Sequence, residues 1–245
     1  MDKTCINKNG LEITTVIGCI NSCAYCPSKL VVNEYIKRSD NVKLSFDDFK
    51  KCINKLPENT TLYFGGFSEP FLNSECIKMI LYAYESGCEV EVYTTGIGLT
   101  LEDIDIIRNI KFKKFYLHLP DNSGLTRINV NNEYVSLIRK IVNSDIVNIR
   151  YICLLPEGYP GSVKSELSAL IEELNIPLEF WQPNNRAGNL EIPGLNFVDR
   201  IEGVINHKCK HLNRGVLLPN CDVVLCCMDF GLKHVLGNLI TSSYA

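Results

Sequence analysis

The sequence has no run approaching the roughly 18 consecutive apolar residues of a membrane span, and its opening MDKTCINKNG lacks the apolar core of a secretory signal. A cytoplasmic address with no membrane partner is expected. Positive charge is also short: the formal net charge is −3, and lysine and arginine are scattered rather than striped. No broad cationic surface is available to hold a phosphate backbone, which sets nucleic acid aside as the main partner. No glycine-rich dinucleotide fingerprint follows the first strand candidate, which lowers a nicotinamide-binding reading. Internal repeats and low-complexity stretches are missing too. What remains is an ordinary globular composition, 245 residues with 46% hydrophobic and 22% charged, enough to bury one substantial core.

Cysteine, by contrast, is abundant, with 12 in the chain. A reducing compartment does not keep structural disulfides, so clustered thiols there point to metal or to chemistry. Cys52, Cys76, Cys88 and Cys153 stand among apolar neighbours in periodic segments and read as small core residues.

Short β-rich runs alternate with helical patterns. LEITTVIGC, TLYFGGF, CEVEVYTTG, FKKFYLHLP, DIVNIRYICLL and PLEFWQP are six strand candidates. Between them, FDDFKKCINKL follows Ser45 as an N-cap, SECIKMILYAYES ends at Gly87, LEDIDIIRNI follows Thr100, and EYVSLIRKIVNS and SVKSELSALIEELN repeat apolar residues at helical spacing. Strand and helix in alternation predict parallel βαβ units, as an open doubly wound sheet or as a barrel or part of one. After about residue 205 the rhythm breaks, and GVLLP and DVVLCC, joined by a PNC turn, predict a small β-hairpin appendage.

The stretch GCINSCAYCPSKL places Cys19, Cys23 and Cys26 within eight positions. This spacing would also align three thiols on a helix face, but Gly18, Asn21, Ser22 and Pro27 are poor helix formers and the segment follows a strand-like run. A loop at the end of the first strand is the better placement. Such a loop can wrap a tetrahedral zinc, which normally takes four protein ligands, or an iron–sulfur cluster. Three ligands without a fourth nearby favour the cluster, with one iron left open.

This C-x3-C-x2-C pattern, with Tyr25 just before Cys26, resembles the signature of the radical S-adenosylmethionine superfamily. The resemblance implies that Cys19, Cys23 and Cys26 hold a four-iron four-sulfur cluster whose open iron is chelated by S-adenosylmethionine, with Tyr25 near the adenine. A second motif, FGGFSEPFLN at residues 64–73, resembles the family's glycine-rich turn after the second strand. It implies that Gly65, Gly66, Phe67, Ser68 and Glu69 contact the cofactor; glycines allow close backbone approach, and Glu69 and free carbonyls accept from an ammonium group. Ser68 departs from the further glycine of many relatives. In YTTG, Thr95 stands where relatives have asparagine. His118 and Arg150 lie on strands from which the family draws polar contacts to the cofactor.

The NRAGN stretch resembles a substrate-facing segment of relatives with the SPASM or twitch extension, which makes Arg186 a candidate substrate-binding and catalytic side chain. Cys209 and Cys226 resemble the first half of that extension's ligand pattern, with Cys221 where the family has glycine. The remaining ligands do not occur before Ala245. Three explanations stay open: a chain lacking its final ligands, which is favoured; a degenerate site; or zinc. Adjacent strand residues point to opposite faces, so Cys226 and Cys227 are not expected to reach one cluster.

The expected architecture is therefore a partial (β/α)6 barrel core over residues 1–205, and a partial SPASM/twitch-like extension over 206–245. The resemblance implies a radical enzyme, reduced by flavodoxin or ferredoxin, that abstracts hydrogen from a small polar metabolite such as a sugar or cyclitol. With no room for a leader-peptide domain ahead of Cys19, a peptide substrate is the second reading, and an auxiliary cluster is possible. Outside the enzyme class stands a zinc or iron–sulfur module without turnover.

Overall fold

A computed structural model describes residues 10–155, 163–191 and 214–243. Six parallel strands run β1 Gly10–Ile13, β2 Thr61–Phe64, β3 Glu89–Thr94, β4 Lys114–Leu119, β5 Ile149–Leu154 and β6 Leu178–Trp181. They lie side by side in sequence order without reversal. A doubly wound sheet must reverse that order to place helices on both faces. Here the order never reverses, five of the helices share one core on one face, and the sheet is the wall of a partial (β/α)6 barrel.

The strand sequences account for the two faces. Leu11, Ile13, Leu62, Phe64, Val90, Val92, Phe115 and Leu117 alternate along their strands and are buried in one continuous core. That core is completed by the helices α2 Phe46–Ile53, α3 Cys76–Glu85, α4 Leu101–Ile107, α5 Asn132–Val142 and α6 Ser165–Glu173. Parallel strands covered on both sides usually read as unbroken apolar runs. Here the alternate positions carry Glu12, Tyr63, Tyr93, Tyr116, His118 and Trp181, so the concave face is polar and aromatic. Tyr93 stacks on Tyr116 at 4.7 Å, and Trp181 packs against Tyr116 and His118.

The expected helix starts hold. Ser45 Oγ accepts from the Asp48 N–H at 3.1 Å, and Thr100 and Asp103 form a reciprocal capping box. Gly87, at φ +82°, ends α3. One helix is additional to the sequence reading: α1, Ser28–Tyr35, begins directly after Pro27. It carries little amphipathic signal, yet Val31 and Tyr35 are buried in a second apolar cluster with Ile17, Phe67, Val216 and Phe230.

The C-terminal segment is not a detached appendage. Strand β7, Arg214–Leu217, pairs parallel with β1, and β8 Asp222–Val224 and β9 Val235–Asn238 continue antiparallel from it. The described residues thus form a nine-stranded sheet in the order β6-β5-β4-β3-β2-β1-β7-β8-β9. The hairpin expected from GVLLP and DVVLCC is present as β7–β8. The domain boundary expected near residue 205 lies outside the described residues, as does Cys209. No described helix is long and apolar enough to cross a membrane.

Candidate functional site

At the C-terminal ends of the parallel strands, where such barrels place their chemistry, lies a cavity of about 430 Å³. Three turns meet there. The first carries Cys19, Cys23 and Cys26 in the loop between β1 and α1, and all three thiols line the cavity. The second is the GGFSEP turn after β2, and the third is the Thr94–Thr95 turn ending β3.

The GGFSEP turn is seated on the end of β1. Gly66 takes φ +56°, and a Cβ there would fall 2.3 Å from Thr14 Oγ1, so this position excludes any side chain. Thr14 Oγ1 accepts from the Phe67 N–H at 3.2 Å, and Thr15 Oγ1 donates to the Pro70 carbonyl at 2.7 Å. This seating aims Glu69 into the cavity. Its carboxylate accepts from the Thr94 hydroxyl and from both the backbone N–H and the hydroxyl of Thr95 at 2.7 Å. The Thr95 hydroxyl in turn accepts from Asn21 Nδ2 at 3.0 Å, tying the cysteine loop to the acid. Burial raises the Glu69 carboxyl to about 7 against these hydrogen bonds. Its partners are all neutral donors, so its charge is left for a cation to meet.

The thiols share that environment. Burial pushes all three up, Cys26 to about 11. Backbone N–H groups oppose the shift: those of Asn21, Glu69 and Ser22 at Cys19, of Arg127 at Cys23 and of Ser28 at Cys26. Among the described residues no three His, Cys, Asp or Glu side chains converge closely enough to hold a single metal ion.

Tyr25, Gly65, Gly66, Phe67, Ser68, Glu69, Thr95, His118 and Arg186 all line this cavity, so nearly every residue singled out in the sequence is brought to one place. His118 edges against Trp181; burial holds its imidazole down at about 4, and its Nδ1, like Ser68 Oγ, is buried without a partner. Arg186, at φ +51°, lays its guanidinium 5.6 Å from the Tyr25 ring and donates to the Tyr25 carbonyl at 3.3 Å. Asn189 Nδ2 joins the Arg186 carbonyl to that of Met228, linking the NRAGN loop to the C-terminal segment.

Arg150 is the correction. It lies near the start of β5, at the far end of the strand from the cavity, forms a two-pronged ion pair with Glu179, and is absent from the lining. Cys221 is taken up by the main core, beside Cys52 on α2. Its φ of +68° is the left-handed conformation that the glycine of the pattern would adopt freely. Cys226 accepts from the Met228 N–H at 3.4 Å and is outside the lining, whereas Cys227 is inside it.

Sequence reasoning missed the cavity floor. Glu12 on β1 and Arg214 on β7 face each other with Arg214 Nε 2.7 Å from Glu12 Oε1, close but not aligned as a hydrogen bond. The guanidinium also lies 3.4 Å from the Tyr63 ring centroid. The available signal was a charged residue in each short apolar strand, third in GLEI and first in RGVL.

No protein-family model matches the chain, and no curated protein matches it in sequence. Solved structures match its fold. BtrN in complex with AdoMet and 2-DOIA superimposes with a TM-score of 0.62 at 17% identity, over 99% of this chain and 81% of that one. SuiB of Streptococcus suis bound to precursor peptide SuiA gives 0.64 at 12%, over 96% of this chain and 63% of that one. The anSMEcpe structure with bound AdoMet gives 0.62 at 14%, over 96% and 76%. At these identities the shared property is the fold.

Proposed function

We propose that the chain is a radical S-adenosylmethionine enzyme acting on a small polar metabolite. The observation that carries this reading is the meeting of three thiols and a buried, cation-free carboxylate on one cavity. Cys19, Cys23 and Cys26 would hold a four-iron four-sulfur cluster, and the backbone N–H groups aimed at their sulfurs suit thiolate ligands. A structural tetrahedral zinc normally takes four protein ligands, and this loop offers three. A cluster spreads its ligands over separate irons. When bound and reduced by a flavodoxin or ferredoxin, the cluster supplies the electron that splits S-adenosylmethionine into methionine and a 5′-deoxyadenosyl radical able to take hydrogen from a C–H bond.

The chain's own residues bind and orient. Glu69 accepts from the cofactor's ammonium group, the Gly65–Gly66 backbone admits it closely, and Tyr25, Thr95 and His118 line its berth. Arg186 offers planar donors to substrate. The partly enclosed cavity, with His118, Asn184 and Arg186 among its lining, and the fold shared with BtrN in complex with 2-DOIA over 81% of that chain, support a sugar- or cyclitol-sized substrate. The fold shared with SuiB bound to its precursor peptide supports a peptide as the second reading. An auxiliary cluster would draw on Cys226 and Cys209, not on Cys221, which the core has taken.

The test is anaerobic reconstitution with iron and sulfide, then S-adenosylmethionine and a strong reductant. Brown protein that releases 5′-deoxyadenosine is expected, with both colour and product lost in Cys19→Ala, Cys23→Ala and Cys26→Ala. Iron content distinguishes one cluster from two. Colourless protein carrying stoichiometric zinc would establish the non-catalytic module instead.

A further inference from the structure

Cys227 is a thiol that the cluster reading leaves unused. It enters the same cavity as Cys19, Cys23 and Cys26, beside Met228 and Phe230. The reason is local: its neighbour Cys226 is turned out of the lining and accepts from the Met228 N–H. Glu12 and Arg214 stand in the same lining as Cys227, and burial beside the Glu12 carboxylate pushes the thiol up. The cavity is built to receive something polar, because the deeply buried His118 Nδ1 and Ser68 Oγ both face it without partners.

An S–H bond is weaker than the carbinol C–H bonds of a polyol, so a hydrogen atom passes from sulfur to a hydroxyalkyl carbon radical downhill. We propose that Cys227 donates a hydrogen atom to the substrate radical, making the net change in the substrate redox-neutral, an inversion at one C–H centre, rather than a dehydrogenation. This rests on the radical reading of the site. The balance is complete. A substrate C–H bond breaks and its hydrogen goes to the 5′ carbon; the Cys227 S–H bond then breaks as the new substrate C–H bond forms, leaving a thiyl radical. One electron from the flavodoxin- or ferredoxin-class reductant and one solvent proton restore the thiol. Glu12 and Arg214 act as positioning residues that hold the sulfur toward the cavity.

Two measurements test it without a known substrate. In the apoprotein, iodoacetamide followed by peptide mass spectrometry is expected to modify Cys227 while Cys76 and Cys153, 0% and 1% exposed, stay unmodified. A Cys227 as protected as those two would overturn the proposal. In the second, the reconstituted enzyme is reduced in D2O with unlabelled S-adenosylmethionine and no substrate. The 5′-deoxyadenosine released is expected to carry one deuterium drawn from Cys227 S–D, and Cys227→Ser and Cys227→Ala are expected to lose most of that label while keeping wild-type iron content. Unlabelled product from the wild type, or label unchanged in both variants, refutes hydrogen donation and leaves the radical reading standing. Loss of iron in the variants makes Cys227 a ligand and also refutes it. Absence of 5′-deoxyadenosine from every sample removes the radical reading, and this inference falls with it.

Discussion

Glu69 concentrates the physics of the site in one side chain. Its carboxyl is raised from 4.5 to about 7 because burial outweighs three neutral hydrogen bonds. A folded-state value above the unfolded one means that the group favours folding below about 4.5 and that this contribution is lost as pH rises through about 7. The loss is on the order of 3 kcal/mol across that window. Urea titrations of the apoprotein against Glu69→Gln are therefore expected to show the wild type losing stability relative to the variant between pH 4.5 and 7.5. Parallel pH profiles for the two would show that the carboxyl is already ionised when buried. The same residue illustrates what short-range pattern reveals. Glu69, Thr95 and the three cysteines were legible because each sits in a turn whose composition marks it. Arg150 was misread because nothing local announces Glu179 as its partner one strand away. Glu12 and Arg214 were invisible for the same reason: their meaning depends on a pairing between β1 and β7, far apart in sequence.

Among elements, the turn after β2 is fixed by Asn73, the last residue of the FGGFSEPFLN motif, to which the sequence reading gave no role. Asn73, only 3% exposed, donates through Nδ2 to the Thr15 and Leu44 carbonyls, both at 2.8 Å, and accepts from the Glu75 N–H at 3.0 Å. Glu75 in turn accepts from the Phe46 N–H at the start of α2. One amide thus joins the end of β1, the entry to α2 and the entry to α3 beneath the candidate cofactor turn. Asn73→Ala strands these buried groups and is expected to cost about 3 kcal/mol by chemical denaturation. Asn73→Asp is expected to cost at least as much, since a carboxylate cannot donate to either carbonyl; a mild effect from both would show that water replaces the amide. The long helices and six strands were readable because their apolar periods are regular and their caps are explicit. Helix α1 was not, since its eight residues form against the second apolar cluster rather than through an amphipathic pattern of their own.

On the scale of the whole molecule, the decisive feature is that the C-terminal strands are sheet, not attachment. Pairing of β7 with β1 makes β1 an interior strand and carries a guanidinium to the floor of the barrel. The Arg214 and Glu12 side chains are 16% and 7% exposed, so neither charge is served by water, and burial already pushes Glu12 upward despite Arg214 beside it. Breaking such a pair from one side leaves an unpaired buried charge and costs about 3 kcal/mol or more, whereas replacing both members is much less harmful. Arg214→Met is therefore expected to lower the urea midpoint at pH 7.5. The deficit should shrink as pH falls, because without the cation the Glu12 carboxyl rises further and protonation relieves it. Glu12→Gln with Arg214→Met should recover much of the loss at pH 7.5 and abolish its pH dependence. If Arg214→Met alone unfolds at the wild-type midpoint, the two charges are hydrated, the floor of the cavity is open to water, and β7 contributes little to holding β1 in place. The radical chemistry proposed for this cavity needs the opposite, a floor closed by a strand that the rest of the sheet holds in register.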